Sequence, residues 1–290
     1  MHFRGFLSFN QWKRCALLSF LILGKILYAS SGLTVLSLPE DPVNGWFMSS
    51  PSDISGAASF PVFLPEKMVS LKGMHGFWMF DTPYTRITAG NQKFFGGASF
   101  LKTEGIDIRT DVASDDPIGE TAYYNGTFFV GKEWKISPDV RVGTTVHFVF
   151  ERLYYASAMG GALNVAGAWR MNPYNNFFVG VRNLGKMQNL YKIATPLPLD
   201  IYSGFSAEIK GFHAGLAIHA DESAEIYGTG FMKYQKDGLF SLALSYSGLN
   251  NSWHLGGDLH YKQVTVGMGQ FFMQDHIAYP LMISIGYSKR

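Results

Sequence analysis

Between residues 140 and 150 every even position except Thr144 is apolar: Val140, Val142, Val146, Phe148 and Phe150. The odd positions carry Arg141, Gly143, Thr145, His147, Val149 and, one step on, Glu151. After Tyr154 and Tyr155 the parity reverses. Met159, Leu163, Val165, Trp169 and Met171 now alternate with small or polar residues that include Gly160, Ala162, Asn164, Ala166 and Arg170. A strand sends successive side chains to opposite faces, so this pattern predicts a hairpin with one apolar face and one small or polar face. Each arm runs about 15 residues, beyond the roughly 5–6 of a soluble strand and suited to a tilted membrane-crossing one. A transmembrane barrel follows.

Composition agrees. The chain of 290 residues is 47% hydrophobic and 16% aromatic. Past its first 31 residues no uninterrupted apolar run approaches the roughly 20 residues a spanning helix needs, so the apolar side chains are spread by alternation. The opening is a separate object. Arg4, Lys13 and Arg14 precede an apolar run over residues 15–24, and Ala29, Ser30 and Ser31 follow. This order describes an export signal over residues 1–31, with cleavage near Ser31. An uncleaved anchor helix is the alternative, although Lys25 interrupts the run. Loss of the signal removes Arg4, Lys13, Arg14 and Lys25 with no acidic residue, taking the formal charge from +2 to −2. The single cysteine, Cys15, leaves with it, so the mature chain has no disulfide framework and no cysteine metal site. No clustered basic face marks a nucleic-acid partner.

Residues 32–67 do not alternate and are rich in small and turn-forming residues, with one short helix expected over 52–58, capped by Ser52 or Asp53. From residue 69 onward, parity and turn chemistry predict fourteen strands: 69–80, 84–90, 93–103, 119–134, 138–153, 156–171, 176–184, 199–209, 212–219, 226–234, 239–247, 253–261, 264–273 and 280–288. Threaded alternately, the connections are all short at one end, while those at the other, 104–118 and 185–198 above all, are mostly longer. Bacterial barrels have even strand numbers, short periplasmic turns and longer external loops. Outward Trp134, Trp169, Tyr261 and Tyr287 fall at the short-turn ends, and Tyr124, Tyr154, Tyr246 and Trp253 at the long-loop ends, as two interfacial girdles would. A soluble β-sandwich using the same apolar residues as its core is the alternative.

The stretches Val142-Gly143 to Glu151-Arg152, Ser157-Ala158 to Gly167-Ala168, Val179 to Gly185 with its Asn183-Leu184-Gly185, and Pro198 to Phe205 resemble the PorV/PorQ family of outer-membrane proteins, relatives of the FadL-type channels. Near the N-terminus Asp53, a run of small residues and Pro61 keep the family's spacing, while Phe60 and Val62 replace its Asn and Ala. The resemblance spans roughly residues 45–290 and rests on pattern more than on an invariant motif. It implies a fourteen-stranded barrel over residues 68–290, with residues 32–67 tucked into the lumen as a plug. It also implies a part in type IX-like protein secretion or surface attachment, with secreted proteins or secretion-system components as partners. More distant relatives pass hydrophobic molecules, and Trp46-Phe47-Met48 with residues 60–64 would suit such a path.

Parity assigns Arg141, His147, Glu151, Arg170, Arg182, Glu208, His213, His219, His254, Asp258 and His260 to the inner face. Arg141, Glu151, Arg170, Arg182, Asp258 and His260 are the lumen candidates. Arg141 is expected opposite Arg170, with Glu133 and Asp139 beside them, either as a mixed-charge structural network or as a solute-selecting constriction. A metal at His254, Asp258 and His260 would need further ligands from neighbouring strands, so no metal and no cofactor is expected. No Gly-x-Ser-x-Gly elbow or compact Ser/His/acid set stands out, and the chain is expected to be a non-enzymatic outer-membrane protein in contact with lipid.

Overall fold

The computed structural model describes residues 34–45, 54–62, 64, 69–78, 82–91, 93–108, 116–190, 196–236, 238–249, 251–273 and 279–289. The proposed signal segment, Trp46-Phe47-Met48 and Asp53 lie outside them. Fourteen strands form one antiparallel sheet: β1 Val69–Phe77, β2 Pro83–Gly90, β3 Phe94–Ile108, β4 Gly119–Lys135, β5 Val140–Leu153, β6 Ala156–Arg170, β7 Asn175–Met187, β8 Asp200–Ile209, β9 Phe212–Asp221, β10 Ile226–Lys236, β11 Phe240–Ser247, β12 Ser252–Tyr261, β13 Val264–Phe272 and β14 Leu281–Lys289. Each strand pairs with its sequence neighbours, and β1 pairs with β14 from Val69↔Lys289 to Phe77↔Leu281, so the barrel is closed. Closure gives every strand two partners and leaves no edge, the condition for a sheet to cross lipid.

The outer face is apolar and uncovered. Val146, Phe148, Leu216, Leu255, Leu259 and Ile285 are each at least half exposed, which no sandwich core would be. Trp134, Tyr261 and Tyr287 stand exposed toward the short-turn end, and Tyr124, Tyr154 and Trp253 toward the other. A closed fourteen-stranded barrel with an apolar band between aromatic girdles is a protein of the bacterial outer membrane.

At the short-turn end the connections span two to four residues. One of the two tightest shows why: Lys210 and Gly211 both have positive φ, 49° and 82°, the two-residue turn whose twist matches that of its strands. At the opposite end two expected loops are shorter than parity implied. β3 and β4 stay paired past an irregularity at Thr103/Ile106 out to Ile108↔Gly119, because a bulge breaks alternation without ending the ladder. β7 likewise runs to Met187: the ladder bulges at Arg182-Asn183, opposite Asn164, and Leu184 and Gly185 pair again beyond it, so Asn183-Leu184-Gly185 lies inside the strand rather than in a turn after it.

Candidate functional site

The described residues of 34–64 lie inside the barrel, and their backbone and side chains bond to the inward side chains of seven strands. Two carboxylates anchor the first part. Asp41 accepts from Lys72 of β1 at 2.9 Å, and Glu40 accepts from Arg86 of β2 at 2.8 Å, all four side chains being buried. Arg86 also donates to Ser99 Oγ and to the Ser55 carbonyl. His254 of β12 donates to the Pro42 carbonyl at 2.8 Å. Around the 3-10 turn Ser55–Ala57, Thr145 of β5 donates to the Ala57 carbonyl, and His147 of β5 and Asn164 of β6 donate to that of Ala58. Tyr202 of β8 reaches the Ser59 carbonyl, and the Leu64 N–H donates to Glu133 of β4 at 2.7 Å. Ile54 precedes this turn and makes no side-chain cap bond, and the expected caps, Ser52 and Asp53, lie outside the described residues.

Glycines make room for the segment. A Cβ on Gly143 would stand 1.7 Å from the Pro61 carbonyl oxygen, and one on Gly269 would stand 1.7 Å from that of Pro42. Apolar packing fills the gaps between the hydrogen bonds. Phe60 meets Phe178 edge-on at 5.1 Å, Val43 and Val62 join the same cluster, and Ile54, Ala58 and Leu64 pack with Phe95 and Phe129. Toward the external mouth Val35, Leu36 and Leu38 pack with Met74, Trp78, Tyr84, Leu101, Phe271 and Met282 of the wall.

A second polar network ties this plug to the bulge in β7. Asn164, whose amide donates to Ala58, accepts from the backbone N–H of Asn183 at 2.7 Å. Asn183 stands at φ 58° and donates its own amide to the Pro198 carbonyl at 2.9 Å. Asparagine is one of the few side chains that tolerates this left-handed conformation. Two residues on, a Cβ at Gly185 would lie 2.0 Å from the Gly161 carbonyl oxygen. Asn183 and Gly185, marked by motif resemblance, thus have local backbone reasons to be what they are.

The lumen candidates separate. Arg141 pairs with Glu133 at 3.2 Å, but in the ladder it lies opposite Ala168, and Arg170 is exposed opposite Asn176. The expected facing pair of arginines is therefore absent; the register differs by two residues. Arg182 and Asp200 form an ion pair, and His219 lies with Nδ1 3.0 Å from Asp200 and Nε2 3.0 Å from Thr229 Oγ1. His260 Nε2 lies 2.8 Å from Asp258, which accepts from Ser241 at 2.7 Å, while His254 of the same strand serves the plug instead. Pro61 offers its carbonyl to the Gly143 notch. Glu151 accepts from Tyr123 at 2.7 Å and sits next to Asn125, its cross-strand partner. Among the described residues, no group of three or more His, Cys, Asp or Glu has metal-binding spacing.

Lys72, Arg86, Glu40 and Asp41 were not singled out in the sequence. Their signal was available: Lys72 and Arg86 are charges on membrane-spanning strands, and Glu40-Asp41 is an adjacent acidic pair in a segment with few other charges.

These features define a plugged outer-membrane barrel. No known family model and no curated protein matches the sequence. Solved structures do share the fold. The Pseudomonas putida toluene transporter TodX is 9% identical with a TM-score of 0.59, covering 88% of this chain and 99% of its own. The monoaromatic hydrocarbon channel CymD is 9% identical with a TM-score of 0.58, over 90% and 98%. A Pseudomonas aeruginosa FadL homologue is 7% identical with a TM-score of 0.51, over 91% and 99%. The chain has a FadL-like fourteen-stranded fold.

Proposed function

We propose that this protein is an outer-membrane channel for hydrophobic small molecules, closed by its own N-terminal segment. The observation that carries the reading is the wall of the lumen. In an aqueous pore inward polar groups line a water path. Here most of them bond the plug segment or one another, and apolar clusters fill inward positions from the external mouth to the base. Such an interior accepts an apolar solute at little desolvation cost and offers an ion few unengaged dipoles. Fold likeness to TodX and CymD supports the same reading.

Liposomes carrying the protein should take up ethylbenzene faster than empty ones, and removal of residues 45–67 should raise that rate. Equal rates with and without protein would sink the proposal. The reading assigns the protein no catalysis. The secretion-linked alternative rests on motif resemblance alone; it would be favoured if deletion of residues 186–195 abolished capture of a secreted protein while the barrel stayed folded.

A further inference from the structure

Six carboxylates are buried among the described residues: Glu40, Asp41, Glu133, Glu151, Asp200 and Asp258. Five have a basic partner, in Arg86, Lys72, Arg141, Arg182 and His260 respectively. Glu151 differs. Its Oε1 accepts from the Tyr123 hydroxyl, and its Oε2 is buried with no hydrogen-bond partner. The cross-strand neighbour repeats the pattern: Asn125 Nδ2 donates to the Tyr123 hydroxyl at 2.9 Å, and Asn125 Oδ1 is buried with no partner. Glu151 is 5% exposed and Asn125 1%.

The chemistry of the trio is therefore one-sided. Tyr123 both accepts and donates, so its hydroxyl is engaged; the Asn125 amide is committed to it; two acceptor oxygens remain. Leaving a buried acceptor unsatisfied costs about 1–3 kcal/mol, and more when the group is charged. The surroundings are apolar. Leu101 is the other ladder partner of Asn125, Ala158 is that of Glu151, and both belong with Val149 to the external apolar cluster against which Tyr123 packs. The site also lies close to the external mouth, because β5 ends two residues beyond Glu151.

Resting on the channel reading above, we propose that Glu151, Asn125 and Tyr123 form a binding site for the protonated amine of an apolar molecule. The ammonium supplies the missing cation to Glu151 Oε2 and a second N–H to Asn125 Oδ1, while the apolar body lies against Leu101 and Val149. A carboxylate-headed molecule is repelled by the same oxygens.

Equilibrium dialysis of the full-length protein in mild detergent tests this with three probes of one shape: 2-phenylethylamine, 2-phenylethanol and ethylbenzene. The amine should bind at least about tenfold more tightly than the other two, since a charge-assisted bond to a buried carboxylate is stronger than a neutral one. Glu151→Gln keeps the acceptor for Tyr123 and should remove that preference, leaving ethylbenzene binding within about twofold. Equal binding of all three probes by the unaltered protein overturns the site, and marks Glu151 as a carboxylate satisfied by water. Preference for the alcohol overturns the amine assignment. Ethylbenzene uptake that never exceeds that of empty liposomes counts against the channel and leaves the amine preference standing.

Discussion

Asn183 carries more structure than its size suggests. It holds a left-handed backbone position, donates its backbone N–H to Asn164 Oδ1 and its side-chain amide to the Pro198 carbonyl, linking wall, plug and external connection through one residue. Asn183→Ala should lose the amide bond and strain the backbone, lowering stability by about 2 kcal/mol. Asn183→Gly should recover the backbone part. Urea titrations of the two variants in lipid vesicles give the comparison, and equal losses would contradict the role of φ. Much at this scale was legible, because alternation says which face a residue joins: Arg141, His147, Glu151 and Asp258 all point inward and are buried. Their partners were not legible. Arg141 faces Ala168 and not Arg170, a two-residue slip that keeps every side chain on its expected face, so periodicity is blind to it.

The plug is the element that sequence described least, and for a physical reason. Its residues do not alternate, and it is held largely through its own carbonyls, which carry no residue identity. The wall betrays it instead, through Gly143 and Gly269, placed where a side chain would strike plug backbone. Gly143→Val should expel the segment around Pro61 without opening the strand ladder. Single-channel recordings should show larger and more frequent openings, and an unchanged trace would mean that the contact does not hold the plug. The two ion pairs make a separate prediction. Replacing Lys72 and Arg86 by Met leaves Asp41 and Glu40 buried without their cations, a change that costs about 3–5 kcal/mol per pair. The double variant should therefore admit small hydrophilic dyes that the parent excludes, read as dye release from loaded liposomes.

At the scale of the molecule, the barrel's count and closure were legible because fourteen alternating segments with short turns at one end admit few other arrangements. Extensions past bulges, in β3 and β7, were not, since a bulge interrupts the very pattern being read. Closure predicts that unboiled protein migrates differently from boiled protein in SDS; identical migration would contradict a closed barrel. It also predicts that Ile285→Arg, on the outer face of β14, lowers stability by about 2–4 kcal/mol near the bilayer centre, measured by the same urea titration. The order of the chain adds a constraint on assembly. The plug is made before any strand, yet its Pro42 meets His254 from 212 positions away, and the β1–β14 seam joins the two ends of the sheet. Contacts so distant in sequence form late, so the plug must already lie within the curling sheet when the seam zips, and refolding should slow when it is missing. The segment that fills the finished barrel would then also be the mandrel around which its wall is rolled.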